Sequence, residues 1–115
     1  MTQTTKRHIP LPVAAAIDEA TRLLVDTAHP EKIVLFGSYA RGDFDARSDV
    51  DFLVIVREVG DWVDETARLM LALKDVPMAA DIILYPRAEV ERRRRLRGTM
   101  LYHALREGRV LYDAA

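Results

Sequence analysis

The chain has 115 residues, half of them hydrophobic, and a formal net charge of −1 at pH 7. This length and composition predict one folded domain over residues 1–115 and exclude a disordered chain, while the near-neutral charge argues against strong nucleic-acid binding. The lack of cysteine excludes disulfides and thiolate metal sites and fits a cytoplasmic protein. No signal peptide and no apolar run of about 20 residues is found, so no membrane segment is expected.

The first half of the chain predicts one helix followed by two strands. Residues 1–9 are expected to be flexible, and the apolar spacing after Pro12 predicts a first helix that ends before Pro30. Continuous apolar segments predict buried strands at residues 33–36 and 49–56. Because the link between them is short, the two strands are expected to be antiparallel.

The second half of the chain predicts two helices and two further strands. A helix over residues 61–77 is followed by a strand over residues 79–85. One long helix is then expected over residues 86–107, before a short last strand at residues 110–112. The order α-β-β-α-β-α-β predicts an α/β fold in which a mixed sheet is flanked by helices.

Acidic residues mark the start of two of the predicted strands. Asp49 and Asp51 are two residues apart on one strand, so their side chains lie on the same face, and Asp81 opens the next strand among apolar residues. An ionised carboxylate inside a sheet is costly unless water or a cation compensates it. If the two strands are neighbours, three carboxylates converge, and this arrangement suits a site with two divalent cations.

A glycine-serine turn, Gly37-Ser38, separates the first two strands. Its free backbone N–H groups and its hydroxyl could hold phosphate oxygens, while Asp49 and Asp51 hold magnesium nearby. Each feature alone also has an ordinary explanation, since aspartates favour turns and solvated strand ends, and a lone glycine motif is common. The combination at this short distance predicts a site for a metal-bound polyphosphate.

The segment GSYARGDFDARSDVDFLVIV, residues 37–56, resembles the signature of the polymerase-β-type nucleotidyltransferase superfamily. The chain is most similar to the minimal nucleotidyltransferases of bacteria and archaea, and the resemblance extends to Asp81 and to the closing segment, residues 106–113. It implies a polymerase-β-like fold and an enzyme in which a hydroxyl attacks the α-phosphorus of a nucleoside triphosphate and releases pyrophosphate.

The resemblance also implies roles for individual residues. The nucleotide-binding residues would be Gly37, Ser38 and Arg41, which would hold the phosphates of ATP. The catalytic residues, which would also bind two Mg²⁺ ions, would be Asp49, Asp51 and Asp81. Of these, Asp81 would bind the acceptor hydroxyl or help to deprotonate it.

Minimal members of the superfamily resemble antitoxins that accompany a helical HEPN ribonuclease toxin and disarm it by adding AMP to a tyrosine. The resemblance therefore implies a protein adenylyltransferase whose partner, a HEPN-family toxin, brings the acceptor. Three alternatives stay open: an antitoxin that acts by binding alone, a transferase for another hydroxyl such as a tRNA end or an antibiotic, and a DxD-type glycosyltransferase. The charge disfavours RNA, and the small size disfavours the antibiotic and the glycosyltransferase.

Three further features have more than one interpretation. The arginine-rich segment 92–97 predicts either a solvated helix face paired with Glu89 and Glu91 or a docking patch for an acidic partner or RNA. Tyr39 could stack on a base or pack locally. His103 is expected to serve packing or a partner, because the three histidines are too scattered to form a zinc site.

Overall fold

The computed structural model describes residues 7–115. The predicted flexibility of residues 1–9 falls mainly on residues 1–6, which lie outside the described residues, so it stays a prediction. At the start of the described chain, the backbone N–H of Arg7 donates to the Gly42 carbonyl at 3.0 Å. None of the helices within residues 7–115 is long and apolar enough to span a bilayer.

Residues 7–115 form five helices and four strands. The helices are α1 (Leu11–Ala28), α2 (Ser38–Arg41), α3 (Trp62–Ala72), α4 (Arg87–Arg93) and α5 (Met100–Glu107). The strands are β1 (Lys32–Phe36), β2 (Val50–Val56), β3 (Ala80–Pro86) and β4 (Arg109–Asp113). All four predicted strands are therefore present, and α1 ends at Ala28, ahead of Pro30, as predicted.

The four strands form one mixed sheet in the order β3-β2-β1-β4. β1 pairs antiparallel with both β2 and β4, whereas β2 pairs parallel with β3. The parallel pair is possible because α3 carries the chain back between β2 and β3. The predicted mixed α/β sheet and the predicted antiparallel pairing of the first two strands are both confirmed.

Helices cover both faces of the sheet. On one face, Phe52 and Val54 of β2 belong to an apolar cluster with Leu24 of α1 and Leu69 of α3. On the other face, Leu53 and Ile55 join a smaller cluster with residues of α4 and α5, namely Val90, Leu101 and Ala104. Side chains alternate along a strand, so Asp51 shares the α4/α5 face with Leu53.

The prediction of one helix over residues 86–107 is wrong in its middle. The chain leaves α4 after Arg93 and enters α5 at Met100. Between them, Gly98 has a φ of 83°, a conformation that breaks a helix and that glycine adopts without strain. Thr99 then caps α5, since its hydroxyl accepts the Tyr102 N–H at 3.2 Å. The helix predicted over residues 61–77 likewise ends earlier, at Ala72.

Candidate active site

β1 ends at a glycine whose backbone conformation directs the next turn. Gly37 has φ 76° and ψ −156°, a region that residues with a side chain rarely adopt. The first helical bonds of α2 run from the N–H groups of Ala40 and Arg41 to the Gly37 carbonyl, at 3.1 and 3.0 Å. The N–H groups of Ser38 and Tyr39 precede this ladder and are the groups that a helix start offers to an anion.

An aromatic pair anchors α2 to the loop that leads into β2. The rings of Tyr39 and Phe44 are both buried and stack with centroids 4.5 Å apart and planes 10° from parallel. The guanidinium of Arg7 lies 5.7 Å from the centroid of the Phe44 ring. The Tyr39 ring therefore packs locally, which favours that interpretation over stacking on a base.

The strand register brings two of the predicted carboxylates side by side. Asp51 pairs with Asp81 in the parallel β2–β3 ladder and with Phe36 in the antiparallel β1–β2 ladder. Neighbouring residues in register point to the same face of a sheet, so both carboxyl groups lie on the α4/α5 face. Asp49 directly precedes β2 and shares that face by alternation. Asp81 is therefore a neighbour of Asp51 and does not face away across the sheet.

The three carboxylates interact electrostatically. The pKa of the Asp51 carboxyl is raised from 3.8 to about 6, first by burial and then by the negative charges of Asp81 and Asp49, while Arg41 opposes the rise. Asp51 is half-buried, whereas Asp49 and Asp81 are exposed at the edge of the site. The cluster therefore carries more negative charge than its surroundings compensate.

The glycine turn and the carboxylate cluster are in contact. A β-carbon placed on Gly37 would stand 2.1 Å from Asp51 Oδ2 and 3.1 Å from its carboxyl carbon. Only a residue without a side chain fits there, because the Asp51 carboxylate occupies the space. A phosphate held at this turn would thus lie beside the Asp51 carboxyl group.

The residues present suit a hard divalent cation by their chemistry. Carboxylate oxygens are the ligands that Mg²⁺ prefers, and the raised pKa of Asp51 reflects a site where positive charge would be stabilising. Within residues 7–115, no group of three or more His, Cys, Asp or Glu side chains is already arranged to hold a metal ion. Any cation would therefore depend on further ligands, such as phosphate oxygens or water, as Mg²⁺ commonly does.

A small pocket of about 170 Å³ lies beside Gly37. It is lined by β1, α2 and α5, through the residues Phe36, Gly37, Arg41, Met100, His103, Ala104 and Glu107. Arg41 Nε lies 3.2 Å from an Asp43 carboxylate oxygen and 3.9 Å from a Glu107 carboxylate oxygen. Among the predicted nucleotide-binding residues, Gly37 and Arg41 thus share one pocket, and Ser38 follows directly at the turn.

Two α5 residues of this pocket, His103 and Glu107, were not predicted as site residues. Their spacing, together with Met100 and Ala104, places all four on one helical face, but such a face also fits ordinary packing. A larger pocket, of about 470 Å³, lies near Lys32 and contains none of the predicted site residues. Since Lys32 is at the opposite end of β1 from Gly37, the larger pocket is remote from the carboxylates.

The arginine-rich segment is partly paired. Glu89 forms ion pairs with Arg92 and Arg93, and Glu91 pairs with Arg94 at 3.3 Å. These contacts have the helical spacing expected of a solvated face and lie at exposed or partly exposed side chains. They favour the surface interpretation of the segment.

A mixed sheet that sets a glycine-serine turn against strand-borne carboxylates has the architecture of a nucleotidyl-transferring domain. Residues 18–115 match the family model described as Polymerase beta, Nucleotidyltransferase. The chain therefore belongs to this nucleotidyltransferase family, as its sequence predicts, and the matched range includes all six predicted site residues.

Two relatives from Methanocaldococcus jannaschii support the same assignment. One, named "Putative protein adenylyltransferase MJ0141", is 38% identical over 56 residues, which are 49% of this chain and 56% of that protein. The other, "Putative protein adenylyltransferase MJ0604", is 34% identical over 82 residues, 71% of this chain and 78% of the relative. The chain thus spans just over half the length of the first relative.

A solved structure shares the fold. The crystal structure of a "putative nucleotidyltransferase" from Sulfolobus solfataricus superposes with a TM-score of 0.58 over 99% of this chain and 93% of that one. At 16% sequence identity, this likeness concerns the fold alone. It confirms the predicted arrangement of a mixed sheet with flanking helices.

Proposed function

We propose that residues 1–115 act as one nucleotidyltransferase domain that transfers AMP from ATP to a hydroxyl group, a tyrosine of a HEPN-family ribonuclease toxin, and so serves as its antitoxin. The observation that carries the proposal is the in-register pairing of Asp51 with Asp81 on the face next to Gly37. The names of the two relatives, which describe adenylyltransferases of proteins, support a protein as the acceptor.

In the proposed complex, the turn at Gly37 and Ser38 holds the phosphates of ATP. Backbone N–H groups and the serine hydroxyl donate to phosphate oxygens, and Arg41 adds a guanidinium whose fork of donors matches a phosphate. The absence of a side chain at Gly37 lets the phosphates approach the Asp51 carboxyl group closely. These groups bind and orient the nucleotide before the reaction.

The carboxylates occupy the other half of the proposed site. Asp49, Asp51 and Asp81 would hold Mg²⁺, which when bound supplies positive charge against the phosphate oxygens. Without a cation, three like charges repel one another, which is consistent with the raised pKa of Asp51. The proposed site is therefore complete only when nucleotide and cation bind together.

The proposed reaction is an in-line displacement at phosphorus. The acceptor oxygen bonds to the α-phosphorus while the bond to the oxygen that bridges the α- and β-phosphates breaks, and pyrophosphate leaves. The proton of the acceptor hydroxyl passes to a carboxylate, for which the exposed Asp81 is the proposed base. Catalysis then rests on positioning and on neutralisation of charge.

Exposed apolar side chains near the site are consistent with a protein partner. Met100, which lines the pocket beside Gly37, is 47% exposed, and Leu96 in the preceding turn is 53% exposed. Large apolar groups exposed next to one another are typical of docking surfaces. A partner that docks over the start of α5 would lie beside the Gly37 turn, next to the proposed site.

The direct test is a transfer assay with a HEPN-type protein as the acceptor, sought first in the reading frame next to that of this chain. ATP labelled at the α-phosphate is expected to label the partner, whereas ATP labelled at the γ-phosphate is not, since pyrophosphate is released. Asp49→Ala and Asp51→Ala should each lower the rate at least about 100-fold, because each removes a ligand of the cation whose positive charge stabilises the transition state. The matched control is Asp75→Ala, which removes an exposed acidic side chain outside the site.

A cell-survival assay separates catalysis from binding. If the Asp51→Ala variant fails to protect cells from the toxin, transfer is required for neutralisation. If it protects as well as the unaltered protein, the antitoxin acts by binding alone. Absence of label on the partner with intact protein, Mg²⁺ and ATP would remove the catalytic proposal.

A further inference from the structure

One face of α5 forms a wall beside the glycine turn. Met100, His103, Ala104 and Glu107 recur at helical spacing and line the same small pocket as Gly37. Ala104 is buried in the core, which fixes the orientation of the helix, whereas His103 and Glu107 are exposed. The polar part of this face therefore opens toward the glycine turn and the solvent.

Glu107 lies between two side chains that can carry positive charge. Its Oε2 is 3.9 Å from Arg41 Nε, and its Oε1 is 3.4 Å from His103 Nδ1. Within residues 7–115, Arg41 contacts both Asp43 and Glu107 through Nε, which leaves the terminal nitrogens of its guanidinium as donors for a ligand. The pairing of His103 through Nδ1 likewise leaves Nε2 as the nitrogen for another partner.

Gly37 joins this group to the carboxylate cluster. The Asp51 carboxylate occupies the space that a side chain at Gly37 would take, and Gly37 also lines the pocket of Arg41, His103 and Glu107. A triphosphate at the turn would therefore have the carboxylates and the pair of Arg41 and His103 within its surroundings. The end of the triphosphate that is remote from the metal needs donors from the protein, and Arg41 and His103 can supply them.

We propose that His103 contacts the terminal phosphate of the nucleotide together with Arg41, and that Glu107 is a positioning residue that holds both side chains. The proposal rests on the proposed nucleotidyltransferase function and deepens it, because it assigns a residue set that selects triphosphates over diphosphates. His103 acts on the nucleotide itself, whereas Glu107 acts through its two neighbours.

Calorimetric titration of the full-length protein with two nucleotides tests the proposal. With Mg²⁺ present, the probes are ADP and the ATP analogue whose α,β-bridging oxygen is replaced by methylene. His103→Gln and Glu107→Gln are each expected to weaken binding of the ATP analogue about tenfold, the effect of losing one charge-assisted contact. Binding of ADP should change less than about twofold, because ADP lacks the phosphate in question.

Conservative and control variants distinguish contact from a structural effect. Glu107→Asp should restore most of the selectivity for ATP over ADP, since it retains the carboxylate. Arg106→Gln removes a positive charge from the same helix, at a side chain that contacts Tyr102 instead of the pocket, and should leave both affinities unchanged. Equal losses for the two nucleotides in the His103 and Glu107 variants, or a loss as large in Arg106→Gln, would overturn the proposal.

The binding experiments distinguish a wrong assignment of His103 from failure of the proposed function. If the unaltered protein binds the ATP analogue but His103→Gln has the same affinity, the assignment of His103 is wrong while the nucleotidyltransferase proposal stands. If the unaltered protein binds neither nucleotide, both proposals fall. In assays that measure transfer of label to the partner, Glu107→Gln should raise KM for ATP about tenfold and change kcat much less, as expected for a residue that supports nucleotide binding.

Discussion

The Asp51 carboxylate should destabilise the fold at neutral pH when no divalent cation is bound. Burial and the negative charges of Asp81 and Asp49 together raise the pKa of this carboxyl from 3.8 to about 6. The substitution Asp51→Asn keeps the size of the side chain and removes its charge. We therefore expect the variant to be more stable than the unaltered protein at pH 7.5 in the presence of a chelator.

The magnitude follows from proton linkage. Each pKa unit corresponds to about 1.4 kcal/mol, so a rise from 3.8 to about 6 would correspond to roughly 3 kcal/mol if it were realised in full. Asp51 is only half-buried and water screens part of the repulsion, so we expect about 1–2 kcal/mol.

Proton linkage also sets the direction in which the free energy of unfolding changes with pH. Between about pH 4 and pH 6, the folded state holds the Asp51 proton more tightly than the unfolded state does. The free energy of unfolding contributed by this group therefore falls as pH rises through this window and is constant above it. The difference between Asp51→Asn and the unaltered protein should be close to zero at pH 4 and largest above pH 7.

Urea denaturation followed by far-UV circular dichroism at pH 4, 5, 6 and 7.5 measures this difference. Asp75→Asn, at an exposed site, is the control and should stay within about 0.5 kcal/mol of the unaltered protein at every pH. Excess Mg²⁺ should stabilise the unaltered protein more than Asp51→Asn, because a ligand that binds only the folded state raises its stability. A variant that is destabilised at pH 7.5, or whose gain is the same at pH 4, would refute the electrostatic reasoning.

Three further substitutions test backbone and packing requirements. Gly37→Ala should cost about 1–3 kcal/mol in urea denaturation and abolish transfer, because its φ of 76° is strained for alanine and the new carbon would stand 2.1 Å from Asp51 Oδ2; an active variant contradicts this. Gly108→Ala should cost about 1–3 kcal/mol, since its carbon would lie 2.3 Å from the Ala104 carbonyl oxygen, and an unchanged melting temperature would exclude that clash. Asp61→Ala should cost about 1 kcal/mol of stability, because it removes the side-chain cap of α3. Thermal unfolding followed by the helical circular dichroism signal measures this loss. An unchanged stability would show that the cap is dispensable.

The elements that were predicted correctly have strong local signals. The strands around Val34 and Val54 are continuous apolar runs rich in β-branched residues, and Gly37 interrupts the chain between them. The helix break at Gly98 was missed, although a glycine followed by a threonine is a recognisable boundary, because charged residues with helical propensity surround it. At this point the helical propensity of the charged residues competes with the boundary signal of Gly98 and Thr99. The boundary signal prevails, and Thr99 caps α5.

Most of the proposed site is visible in the chain before folding. Asp49 and Asp51 share a face because strand side chains alternate, and Gly37 with Ser38 forms a turn because glycine adopts a positive φ. The roles of His103 and Glu107 were not foreseeable in the same way. Their spacing also fits a solvated helix, and only the crossing of α5 over the end of β1 places them beside Arg41.

Local chemistry thus specified the strands, the turn and the acidic pair, because backbone preferences and side-chain alternation act over a few neighbouring residues. The meeting of Asp81 with Asp51 depended on β3 packing parallel to β2 in one register, which is set by burial of apolar side chains along both strands. The same long-range packing, through Leu101 and Ala104, lays α5 against the sheet and completes the pocket beside Gly37. Contacts between distant segments are selected by the whole core, so a short stretch of sequence does not encode them.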